Sequence, residues 1–202
     1  MDQSKYRQAI ADYIRHAAQP PDKYSHQPRL YQHAKRLAEG QHYDDDVLYA
    51  AAWLHDIGVF IGHRPEDPAA LASWDNVRYA VEQVPQLLGQ FDFPEEKIAA
   101  VVEVIRTHLP TGKPSSMEGL LLRDADILEQ LGAIAILRIV SKVGRDTRYP
   151  THGAAVRTLQ RNLEELPQRL HLESAQREAK SRVRVLHEFL AAVEEESGGV
   201  AL

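Results

Sequence analysis

The 202-residue chain contains no cysteine. That absence excludes a disulfide framework and any thiolate metal site, so a metal ion bound here must be held by nitrogen and oxygen. A basic surplus is missing too. Lys and Arg number 24 against 29 Asp and Glu, a formal net charge of −5, the wrong sign for a surface that neutralises a phosphate backbone. Nucleic acid is therefore not an expected partner. No apolar run approaches the ~20 residues of a membrane span, and the opening MDQSKYRQAI has no apolar signal core. The expectation is a soluble, cytoplasmic protein with no membrane partner. Strand-like alternation, internal repeats and low-complexity tracts are also lacking.

What is present is helical periodicity. Tyr6, Ile10, Tyr13 and Ile14 predict a helix over 4–18, ended by Pro20-Pro21. Pro28 suits the first turn of a second helix, carried by Leu30, Ala34 and Leu37 until Gly40. Asp44, Asp45 and Asp46 place acid in the first turn of a third, which runs through AAAWL to His55 and Asp56 and is broken at Gly58. Residues 57–74 read as an irregular, functional loop. Asp75 or Asn76 caps a helix that includes Val77, Val81, Val84 and Leu88 and is kinked or shortened at Pro85. Ile98, Val101, Val102 and Ile105 form a helical stripe within 95–109, and Ser115 with Glu118 is a capping box for a helix to about Gln130. Helical pieces at 134–142, 153–166 and 173–196 follow. The expected fold class is all-α, one domain spanning the chain, with a core over about 24–141 and the helices of 151–196 packed on it.

The ten histidines carry the functional signal. His26, Arg29 and His33 share one helix face, with His33 read as a packing residue. His55 and Asp56 put an imidazole and a carboxylate at the end of an apolar helix, where a charge needs a reason. Downstream, Arg123-Asp124-Ala125-Asp126-Ile127-Leu128 offers two more carboxylates. Residues two apart on a helix point about 200° apart, so Asp124 and Asp126 cannot both face one ion. Burial favours Asp124, which shares a face with Leu120, Leu121, Ile127 and Leu128. Arg123 and Glu129 are expected in ordinary surface pairs, and His152, His171 and His187 as solvated or packing residues.

The pieces HQPRLYQHAKRLA, LYAAAWLHDIG, EEKIAAVVEVIRTHLP and LLRDADILEQLGAIAILR form an H…HD…D pattern that resembles the HD-domain superfamily of metal-dependent phosphohydrolases over about 24–141. The resemblance implies four metal ligands: His26, His55, Asp56 and one Asp of the DAD motif. The family's Ala-Asp-x-Leu context matches Asp126, which we take as the fourth. Two imidazoles and two carboxylates suit Mn, Fe, Co, Ni or Zn better than Ca. His63 and His108 are candidates for a second ion, but Asp75-Asn76 stands where related sequences carry a histidine, and this departure counts against two metals. The implied activity is hydrolysis of a phosphate ester or anhydride on a nucleotide or another small phosphorylated metabolite. The roles assigned from position are Asp56 on the ion, either Arg29 or Arg138 as phosphate clamp, His108 to polarise the phosphate or protonate the leaving group, and Asp75 to orient water. Two alternatives remain: an HD-fold enzyme of di-iron oxygenase type, drawing extra ligands from His63, Asp75 or His108, and a binding module with a structural ion.

Overall fold

A computed structural model describes residues 3–146 and 148–200 of the chain. The described residues form ten α-helices and three short 3-10 turns. Their one β-type pairing is an isolated bridge between Ile61 and Arg64, so the fold is all-α. They pack as two compact units, Met1–Arg123 and Asp124–Leu202, and the boundary falls inside one helix.

The first unit contains α1 (Gln3–Ala17), α2 (His26–Leu37), α3 (Asp45–Leu54), α4 (Pro68–Ala72), α5 (Asn76–Gln90), α6 (Glu95–Thr107) and the start of α7 (Met117–Glu129). Its centre is α3. Every residue from Val47 to Leu54 is buried, and a helix apolar all round must be enclosed; α1, α2 and α6 enclose it. The small side chains Ala50, Ala51 and Ala52 are fully buried, as close helix approach requires. The start of α3 is polar. Asp44 caps it by accepting from the Asp46 and Val47 amides, while Arg7 of α1 reaches Asp45 at 2.9 Å and Asp46 at 2.7 Å. Lys97 of α6 reaches Asp44 and Asp46 at 2.8 and 2.9 Å, and Tyr31 of α2 donates to Asp45. These contacts pin three neighbours to the end of α3 remote from His55.

Several expectations are corrected here. Ser116, not Ser115, caps α7, its hydroxyl accepting from the Gly119 amide. Glu118 does not close a capping box; it accepts from the Asp44 amide at 2.6 Å, joining the starts of α3 and α7. The stretch 57–74 is less irregular than its glycines and prolines imply, since it holds a 3-10 turn (Ile57–Val59) and α4. Helix α5 continues through Pro85. Gly58 is needed for contact more than for breaking a helix: a Cβ there would lie 2.6 Å from the Asn76 carbonyl oxygen, so the turn after Asp56 seats directly on the start of α5.

The second unit contains the rest of α7, α8 (Gly132–Val140), α9 (His152–Glu165) and α10 (Glu173–Ser197). The last three pack on one another. Gly132, at φ +77°, opens α8 against Arg182 of α10. Arg123 and Glu129 are buried, against the expectation of surface pairs. Arg123 donates to the Pro110 carbonyl at 2.9 Å, and Glu129 pairs with Arg138 at 3.4 Å. No helix among the described residues is long and apolar enough to cross a membrane.

Candidate metal centre

His26 is the first residue of α2, with a 3-10 turn (Pro21–Ser25) leading into it. His55 caps the C-terminus of α3, and Asp56 follows in the bend before the Ile57–Val59 turn. Packing of α2 on α3 brings the start of one helix to the end of the other. One ligand atom from each of His26, His55 and Asp56 lies within 4.8 Å of the others. Asp56 Oδ2 stands 3.6 Å from His55 Nε2 and 3.9 Å from His26 Nε2.

Both imidazoles are buried, while the Asp56 side chain keeps 23% of its surface exposed, so the cluster opens at the carboxylate. The His55 Nδ1 lies 3.0 Å from the Ala52 carbonyl oxygen. A carbonyl only accepts, so Nδ1 carries a proton, and the tautomer this selects has its lone pair at Nε2. That Nε2 is buried and has no hydrogen-bond partner among the described residues. Two ligands at about 2.1 Å from a shared ion stand roughly 3–4 Å apart, and both separations to Asp56 fall there. An anchored imidazole with an unsatisfied inward nitrogen, a second imidazole and a carboxylate are a donor set that fits a divalent transition ion.

His108, the C-cap of α6, lies beside His55. Its ring is 4.9 Å from that of His55, edge to face, and its Nδ1 donates to the Ile105 carbonyl at 2.6 Å. It does not belong to the three-residue cluster, and neither do His63 and Asp75. His63 sits among Tyr13, Phe60 and Tyr79, 3.0 Å from the Tyr79 hydroxyl, and burial pushes its imidazole below the ordinary value. Asp75 is exposed and caps α5 by accepting from the Arg78 amide at 2.9 Å. Arg29 donates to the Ser25 carbonyl at 3.1 Å, one turn back along α2. His33 is fully buried.

Within the second unit, Asp124 is fully buried and its Oδ2 accepts from the His171 and Leu172 amides at 2.9 and 2.7 Å. Its carboxylate serves the entry to α10. Asp126 is partly exposed and accepts from Gln130 Nε2 at 3.1 Å. The buried carboxylate of the motif is thus tied to backbone amides and the partly exposed one to a glutamine side chain. Arg138 is joined to Glu129. The motifs of the sequence pass over Gln27, a carboxamide next to His26 that is buried with its Oε1 unpartnered among the described residues, and over Gln130. Only helical spacing, i to i+4, connects Gln130 to Asp126.

Comparison with protein families matches the HD domain over residues 24–131, a range that includes His26, His55, Asp56 and Asp126. Comparison with curated proteins finds no match. Among solved structures, Bacillus subtilis YpgQ in complex with ADP is 21% identical with a TM-score of 0.74, covering 99% of each chain. An HD-superfamily hydrolase from Bacillus thuringiensis is 22% identical with a TM-score of 0.69, over 98% of this chain and 100% of that one. A predicted HD-superfamily hydrolase from an uncultured Thermotogales bacterium is 25% identical with a TM-score of 0.63, over 94% of this chain and 91% of that one. With the family model matching more than half of its length and its three nitrogen and oxygen donors gathered at the pattern's own positions, the chain belongs to the HD-domain family.

Proposed function

We propose that the protein is a metal-dependent phosphohydrolase acting on a nucleotide or another small phosphorylated metabolite. The observation that carries the reading is the His26, His55 and Asp56 cluster, with His55 Nε2 buried and unpartnered among the described residues. The ADP of the Bacillus subtilis structure supports the nucleotide part of it.

His26, His55 and Asp56 would hold the ion. Asp126 is the DAD carboxylate that the family pattern assigns as fourth ligand, Asp124 being engaged with the α10 backbone. Bound there, a divalent ion supplies Lewis acidity, making water acidic enough to furnish a nucleophile at neutral pH. The rest falls to the chain. The Ala52 carbonyl holds His55 in one tautomer and one orientation. His108, its Nδ1 held by the Ile105 carbonyl and its ring against that of His55, is the proposed carrier of a proton to the leaving group. Arg29, half-buried at the start of α2, is the proposed phosphate clamp. Arg138 reads more simply as the partner of Glu129, and Asp75 as a helix cap.

The test is the metal content of the purified protein together with phosphate release from a nucleotide panel, with and without Mn. The expected result is about one transition ion per chain and metal-dependent release that Asp56→Ala abolishes. Protein free of transition metal after Mn loading, or release unchanged by Asp56→Ala, contradicts the proposal.

A further inference from the structure

The C-terminal helices grip the DAD segment on both sides of Asp126. On one side Asp124 accepts two amides at the entry to α10. On the other, Arg182 of α10 donates to the Leu128 carbonyl at 2.8 Å, and Asn162 of α9 donates to the Gln130 carbonyl at 3.3 Å. These oxygens belong to the end of α7, where a helix leaves carbonyls short of their usual donors. Arg182 is itself held by Glu178 at 2.7 Å. From the turn fixed in this way, Gln130 Nε2 donates to Asp126 Oδ2 at 3.1 Å.

We infer that Gln130 is a positioning residue for Asp126, and that Arg182 and Asn162 fix the turn from which it acts. The inference rests on the proposed role of Asp126 as a metal ligand. A carboxylate with one oxygen already engaged has fewer orientations to lose on binding an ion, and partners of this kind change metal affinity about 10- to 100-fold. In this way the helices beyond Pro150 hold the turn that orients the Asp126 carboxylate.

The experiment titrates Mn(II) into metal-free full-length protein, with free Mn read by electron paramagnetic resonance, and follows amide hydrogen exchange in the same metal-free samples. The variants are Asp126→Ala, Gln130→Met, Arg182→Met and Arg182→Lys. Gln130→Met and Arg182→Met are expected to weaken Mn binding about tenfold or more, with Arg182→Lys recovering part of the loss. Gln130→Met should leave thermal unfolding of the metal-free protein unchanged, whereas Arg182→Met should speed exchange at the end of α7. Wild-type Mn affinity in both Gln130→Met and Arg182→Met, alongside lost affinity in Asp126→Ala, overturns the inference. Wild-type affinity in Asp126→Ala overturns the ligand assignment itself, and the inference with it.

Discussion

At the scale of single residues, candidates that spacing leaves equal meet different partners. Asp124 and Asp126 stand two positions apart in one motif, and apolar neighbours favour Asp124. In the structure Asp124 alone of the two accepts from the backbone amides of His171 and Leu172, 47 and 48 positions further along, which no local pattern reveals. The His55-Asp56 pair is legible because its two members are adjacent and the helix before them is apolar throughout. His108 is legible as a candidate, and the structure narrows its role, since its ring touches His55 yet it is not among the clustered donors. If it carries a proton and does not ligate, His108→Asn keeps the metal content of the wild type while turnover falls by roughly 10²–10⁴-fold. Metal analysis beside steady-state rates checks this. A parallel loss of metal and activity would place His108 in the coordination sphere instead.

At the scale of elements, the site depends on how the two ends of α3 are held. One end carries His55. The other is the network of Arg7, Tyr31, Lys97 and the three aspartates. The acidic run 44–46 is legible as a helix start, but its partners come from α1, α2 and α6, so the sequence shows the charges without their purpose. Arg7→Ala removes hydrogen bonds to two half-buried carboxylates and is expected to cost on the order of 2 kcal/mol, read as a lowered urea midpoint. Gly58 governs the other end. Since a Cβ would stand 2.6 Å from Asn76 O and 2.9 Å from its Cα, both backbone atoms, the Ile57–Val59 turn and α5 must separate in Gly58→Ala. That overpacking costs roughly 1–3 kcal/mol. Because Asp56 is two residues away, Mn affinity should fall with it, and wild-type affinity in a destabilised Gly58→Ala protein would show that the seat on α5 serves folding alone.

At the scale of the whole molecule, charge sets the pH range in which the fold persists. Helix order and the all-α class are legible from apolar periodicity, because burial of one stripe per helix is a local property. How stability responds to pH is not, because it depends on which tertiary partners each titratable group meets. Burial alone raises the Asp46 carboxyl, but hydrogen bonds from Gln3, Arg7 and Lys97 outweigh it and hold the group well below its ordinary 3.8. For Asp146, Arg148 likewise overcomes burial and holds the carboxyl at about 2. A depressed folded-state value means the unfolded chain takes up protons first as the pH drops. This stabilisation is complete above the ordinary carboxylate value and is lost as the pH falls through the folded one. The tyrosines act in the opposite direction. Burial raises Tyr6, Tyr13, Tyr31, Tyr43 and Tyr49, the last to about 12 against an ordinary 10.0. Here the unfolded chain releases protons first, so their contribution is complete below pH 10 and is lost as the pH rises toward 12. The expected profile of urea midpoint against pH is a plateau that bends down below about pH 4 and again above about pH 10. Replacing Tyr49 by Phe should flatten the alkaline bend, because the group whose proton is held more tightly in the folded state is gone. That variant also loses the hydroxyl bond to the Arg7 carbonyl at 2.8 Å, so its plateau lies lower, and the slope above pH 10, not the height, is the quantity to compare. An alkaline slope as steep in Tyr49→Phe as in the wild type would assign the loss of stability to the other tyrosines.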